Sequence, residues 1–279
     1  SLYGHLNCPY DASTTARIFF MTDESNPKHS ESLHSHKVLD EKKFKHRNET
    51  EEEVRINLAA AYRLAAMKGW DDGIYTHISA SIPGEEGAYL INQFGLRFDE
   101  VFPENLVKVN LQGEIISGQG PVNKSGFVIH GAVHAARPDA ACVLHLHVDS
   151  VIAISAQKSG LLPISQHALR FYGDIERHRY QGLALSASEQ VALISALGDK
   201  KALLLENHGS IICGVSIQQA FYLMDVLDKA CKIQLLAGGV EGLITPDPAI
   251  CRMTYEQLCS DGDEEGQMEW PAYLGLLNQ

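Results

Sequence analysis

The sequence predicts one α/β domain with a polar extension at each end. Apolar residues recur at helical spacing in five segments and at strand spacing in seven, and the two kinds interleave along the chain. With 279 residues, 45% of them hydrophobic, the chain is long enough to close such a core without staples.

Residues 1–50 come first and are polar and irregular. The stretch DESNPKHSESLHSHKVLDEKKFKHRNETEEE is dense in charge and poor in apolar positions, so an extended arm or disordered lead-in is expected. Order is expected from Thr50, whose spacing to Glu53 is that of a capping box. Leu58, Tyr62, Leu64 and Ala65 then follow at helical spacing, predicting a helix over 51–67 with Gly69 as its stop.

IYTHISASI (74–82) alternates apolar and polar residues and predicts a strand. Pro83-Gly84 and Gly87 turn the chain, and AYLIN is its hairpin partner. Two more strands are expected at 105–110 and 113–116. SGFVIHGAVHAARPD is a helix that must stop before Pro138. ACVLHLHV is a strand, SVIAISAQKSG a helix closed by Gly160, and SEQVALISAL another helix. ALLLENHGSIICG predicts two strands folded about His208-Gly209, and SIQQAFYLMDVLDKACKIQLLAGG a long amphipathic helix. The domain is therefore expected over 51–245, with a mixed, acidic extension over 246–279.

Charge and cysteines narrow the function classes. The net charge is −12, from 35 acidic and 23 basic residues, which argues against a nucleic-acid or anionic-membrane partner. No apolar run reaches the roughly 18 residues of a membrane helix. The first residues, SLYGHLNCPYDAST, show no basic start followed by an apolar stretch, so no secretory leader is expected in them. None of the six cysteines forms a C-x-x-C pair, and Cys142, Cys213 and Cys231 sit in apolar segments as small hydrophobes. A reducing, cytoplasmic setting is expected. G-x-G-x-x-G, Walker and G-x-S-x-G signatures are absent, so neither a nucleotide cofactor nor a serine hydrolase is implied.

The chemistry-bearing residues are histidines. His145 and His147 lie two apart on a strand, on one face and roughly 6.5–7 Å apart along the chain, so both imidazoles can reach one ion. Spacing alone is weak: His34 and His36 repeat it in the polar arm. The apolar run Leu203-Leu204-Leu205 delivers a third imidazole, His208, just before a glycine that permits a sharp turn.

Together, AARPDAACVLHLHVDSVIAISAQKSGLLPIS and LLLENHGSIICG resemble the class II aldolase/adducin family, and LINQFGLRFDEV and LVKVNLQGEIISGQGPVNKSGFVIHGAVHAARPD extend the likeness over about residues 51–240. The chain is closer to the adducin-head-like branch than to the sugar-phosphate aldolases. The resemblance implies a three-layer α/β/α domain with a mixed, largely antiparallel sheet, and a zinc-dependent homo-oligomer, often a tetramer with sites at subunit borders. It implies His145, His147 and His208 as ligands of zinc or another divalent metal.

The pattern also departs from the aldolases. Their metal-binding, acid/base glutamate falls at Gly126, four residues before His130. Their Gly-Asn-x-Ser loop becomes Thr76-His77-Ile78-Ser79, and their paired serines become Lys124 and Ser125. By position His77, Lys124 and Ser125 are candidate substrate-binding residues, with no basis for a phosphate site. A tyrosine that some aldolases supply across a subunit border falls at His167. His167 is therefore the candidate acid/base, since imidazole exchanges protons near neutrality. Glu206 is the other candidate, because on a regular strand it would share the face of His208.

Two functions are expected to compete. One is a metal-dependent, aldolase-like lyase for a small oxygenated carbonyl compound, with altered acid/base machinery. The other is a non-catalytic adducin-like scaffold or oligomerisation module that keeps the metal site, with a cytoskeletal partner; the short acidic tail disfavours filament binding by adducin's own basic-tail route.

Overall fold

The computed structural model describes residues 49–182, 187–239 and 242–278; the polar arm, including His34 and His36, lies outside them. Eight helices and eight strands are seen among the described residues: α1 (Glu51–Met67), β1 (His77–Ser81), β2 (Ala88–Ile91), β3 (Val107–Asn110), β4 (Ile115–Ser117), α2 (Lys124–Ala136), β5 (Cys142–Leu146), α3 (Asp149–Ser155), α4 (Gln166–Leu169), β6 (Ile175–His178), α5 (Ala187–Leu197), β7 (Ala202–Leu205), β8 (Gly209–Gly214), α6 (Ile217–Ala237), α7 (Pro248–Leu258) and α8 (Trp270–Leu276).

The strands form one sheet in the order β4-β3-β2-β1-β5-β8-β7-β6. Only the β6–β7 pair is parallel; the other pairs are antiparallel. The period of two sorts the side chains into two cores. Ile78, Leu144, Leu146, Leu204 and Ile212 pack with Leu58, Phe221 and Leu227 of α1 and α6 on one face. Val143, Leu203, Leu205, Ile211 and Cys213 pack with Ile129 and Leu193 of α2 and α5 on the other. This is the three-layer α/β/α architecture with a mixed, largely antiparallel sheet.

Local signals explain the ends of α1 and its seat. Thr50 caps the helix as expected: its hydroxyl accepts the Glu53 N–H at 3.3 Å while the Glu53 carboxylate accepts the Thr50 N–H at 2.7 Å. Tyr62, fully buried on α1, accepts the Ile78 N–H at 2.7 Å and lies 2.9 Å from Asn92 Oδ1. That bond fixes β1, and with it His77, against the helix layer.

The structure corrects three boundaries. β1 starts at His77, not Ile74, because Thr76 takes φ +65°, which ends extended backbone on its N-terminal side. α3 stops at Ser155, short of Gly160, where the Arg177 guanidinium donates to the carbonyls of Ser155 (3.2 Å) and Lys158 (2.7 Å). β5 ends at Leu146, so His147 stands just past the strand. Beyond Pro246 the segment read as mixed contains α7 and α8, and Trp270 and Tyr273 pack their rings 5.7 and 5.0 Å from Phe221. No helix among the described residues is long and apolar enough to cross a membrane.

Candidate metal centre

His145 sits near the end of β5 on the face shared with Val143, buried at 3% exposure. His147 follows past the strand end. His208 arrives from the β7–β8 hairpin, where Asn207 takes φ +56° to turn the chain. Gly209 must follow, since a Cβ there would lie 2.4 Å from the Leu146 carbonyl oxygen. That close approach brings the hairpin tip onto β5.

The three rings meet. Their centroids are 5.1 Å apart for His145–His147, 5.0 Å for His145–His208 and 4.8 Å for His147–His208. One nitrogen from each lies within 4.8 Å of the others, so this set could hold a metal ion. Outer partners set the tautomers. Nδ1–H of His145 donates to the Ser210 carbonyl at 3.1 Å, and Nδ1–H of His147 to Asp72 Oδ2 at 2.8 Å. Each then turns a bare Nε2 inward, and that of His147 is buried without a partner. Imidazoles that ligate metals are held in this way.

Electrostatics agree with that donor set. Burial, then the neighbouring His147, pushes His208 down to about 4. Burial, then the adjacent histidines, holds His145 well below the usual imidazole range. Both are neutral at pH 7, and only neutral imidazole binds a cation.

The row of histidines continues into the sheet. His77 lies opposite His145 in the β1–β5 register, with ring centroids 5.6 Å apart. Burial, then His147 and His208, pushes its pKa down to about 3. Neither of its nitrogens has a partner. A buried polar atom left unpaired costs about 1–3 kcal/mol, so such a group asks for a ligand or water. Beyond it stands His130 of α2, at 5.2 Å, and Ser79 Oγ bridges His130 Nδ1 (2.5 Å) and His134 Nε2 (2.7 Å).

Other sequence candidates fare differently. Glu206 and His208 do not lie on one regular strand, since β7 ends at Leu205 and the left-handed Asn207 breaks the alternation, yet both line one small cavity. The Glu206 carboxylate pairs with Arg177 at 3.0 Å. His167 is exposed on α4, and among the described residues no ring contact or hydrogen bond joins its side chain to the cluster. Lys124 and Ser125 open α2, and their side chains lie outside the described residues. Two neighbours escaped the sequence reading. Asp72 comes from a turn 75 residues before its partner His147, and Tyr180 holds its ring 6.3 Å from His208 beside a cavity of about 20 Å³. No periodicity marks either residue.

Residues 56–235 match the family profile described as class II aldolase and adducin N-terminal domain. The chain belongs to that family. Within the class II aldolase/adducin family it is 43% identical, over 81% of its length and 90% of the relative's, to a Pseudomonas aeruginosa protein whose name places it in aldolase class 2. It is 45% identical to mouse alpha-adducin over 70% of this chain, which spans 28% of alpha-adducin. The crystal structure of an aldolase II superfamily protein from Pseudomonas syringae is 45% identical with a TM-score of 0.79, covering 82% of this chain and 93% of that one. An L-fuculose 1-phosphate aldolase from Glaciozyma antarctica is 29% identical with a TM-score of 0.73, covering 82% and 89%.

Proposed function

We propose that this chain is a metal-dependent aldolase-like lyase acting on a small oxygenated carbonyl compound. The meeting of His145 and His147 at the end of β5 with His208 of the β7–β8 hairpin carries the reading. Three imidazoles, two of them oriented by outer partners, suit zinc, and also manganese, iron or cobalt. Bound there, the cation would act as a Lewis acid on the substrate carbonyl. Asp72 and the Ser210 carbonyl keep two of the imidazoles oriented. A proton must still move as a carbon–carbon bond breaks. With Gly126 at the glutamate position, that task falls to another group. His167, exposed on α4, reaches a site only if a subunit border brings it there. Glu206, paired with Arg177 and lining one small cavity with His208, is the other candidate for it.

The alternative is an adducin-like scaffold or oligomerisation module that retains the metal site. The 45% identity to alpha-adducin and the missing carboxylate favour it. Elemental analysis and a turnover screen over hydroxy-aldehydes and keto acids separate the two. Stoichiometric metal with chelator-sensitive cleavage supports the lyase. Protein that lacks metal and turnover yet still assembles supports the scaffold.

A further inference from the structure

Arg179 follows β6 directly, is exposed, and makes no ion pair or hydrogen bond among the described residues. The topology puts it beside the three-histidine centre. β6 and β7 are the parallel pair of the sheet, in a register that sets His178 beside Leu205, and the Glu206 N–H donates to the His178 carbonyl at 2.9 Å. Both strands therefore leave the sheet at the same end. Their continuations meet there: Arg179, Tyr180, Glu206 and His208 line one cavity of about 20 Å³. Tyr180 stands edge-on to His208, at 83°. β6 is the edge strand and Tyr180 is half exposed, so this end of the sheet opens outward.

The other charges on the cavity are accounted for. Arg177, two residues earlier, is taken up by Glu206 at 3.0 Å and by the Ser155 and Lys158 carbonyls. Glu189, in the first turn of α5, is the second carboxylate lining the cavity. Two guanidiniums and two carboxylates balance. A divalent cation on the histidines is then the largest charge of the site and leaves the mouth positive. The complement is an anion.

We propose that Arg179 binds the carboxylate of an anionic substrate whose carbonyl oxygen lies at the three-histidine centre. This rests on the metal-dependent reading given above and narrows its substrate class. The class is a keto acid, or an aldehyde acid, with the carboxylate a few bonds from the carbonyl; a neutral hydroxy-aldehyde leaves Arg179 without a partner. A guanidinium suits the task, since it is planar, always charged, and presents its N–H donors as a fork that meets both carboxylate oxygens. The cavity has room for a single ligand oxygen. With Glu189 on the same cavity, one negative charge fits better than the two of a phosphate. Arg179 is a binding residue in this assignment and touches no reacting atom.

The test titrates the cobalt(II)-loaded full chain by calorimetry with levulinate, and with the hydroxy-ketone in which an alcohol replaces its carboxylate. Arg179→Met removes the charge at an exposed, unpaired position, so its fold and cobalt stoichiometry should match the parent's. Losing one charge-assisted hydrogen bond is expected to weaken levulinate by about tenfold or more in Arg179→Met, with the hydroxy-ketone unchanged. Arg179→Lys should recover part of the loss. Acetate reports a carboxylate bound to the cobalt alone, and should weaken far less than levulinate. Levulinate affinity equal in the parent and Arg179→Met overturns the assignment, as does equal weakening of acetate or of the hydroxy-ketone. A cobalt-loaded parent that binds levulinate no better than the hydroxy-ketone also overturns it and leaves the metal-dependent reading in place. A parent that takes up no cobalt removes that reading, and this assignment with it.

Discussion

His147 Nδ1 lies 2.8 Å from Asp72 Oδ2, and this bond joins the β1-side turn to the end of β5. Such outer carboxylates fix ring orientation and raise ligand basicity, and their loss typically costs 10–100-fold in metal affinity. Asp72→Ala is therefore expected to weaken zinc by about 10-fold or more while leaving the melting temperature of the metal-free protein nearly unchanged. Competition against a chromophoric chelator measures it; unchanged affinity would show that His147 needs no outer partner.

Removing an inner ligand should do more. His208→Ala leaves two imidazoles and opens the hairpin tip. Bound metal is expected to fall from one equivalent to near none after dialysis, with the far-ultraviolet spectrum preserved. A full equivalent retained in that variant would move the site elsewhere.

The buried histidines make stability depend on pH. His77 titrates at about 3 and His208 at about 4 when folded, below the roughly 6.5 of a free imidazole. Between those values the unfolded chain holds protons that the folded chain lacks, so stability rises with pH and is lost as pH falls through that window. Without metal, the melting temperature should drop from pH 7.5 to pH 5. His77→Phe should flatten the slope by up to about 1.4 kcal/mol per pH unit over that range. A flat parent profile would contradict the burial of these rings as neutral groups.

Arg170 binds the C-terminal segment through a bidentate pair with Glu265, at 2.5 and 2.7 Å, and also meets Asp174 at 3.1 Å. All three are buried. Removing one partner leaves an uncompensated charge, so Glu265→Ala is expected to cost about 3–5 kcal/mol in urea unfolding, whereas the apolar pair Arg170→Met with Glu265→Leu should cost far less. Equal losses in both would mean that shape, not charge, holds the segment.

Much of the fold was legible because periodicity is local. The 51–67 helix, its capping box, the His208 hairpin and the long α6 each carry their signal within a few residues. β6, α4, α7 and α8 were not legible. β6 is a short edge strand of partly exposed residues, and α7 buries little apart from Cys251, so neither shows a clean apolar pattern.

By itself, the sequence determined the interleaving of helices and strands, since periodicity is local, and its motifs carried the family resemblance that implied the three layers and grouped the three imidazoles. Only the tertiary structure decided that Asp72 orients His147, that Glu206 turns to Arg177, and that His77 fills the space above Gly126. Those contacts join residues far apart in the chain. No periodic pattern records them: the packing of β1, β5 and α2 brings the first and last within reach, and the β6–β7 pairing the second.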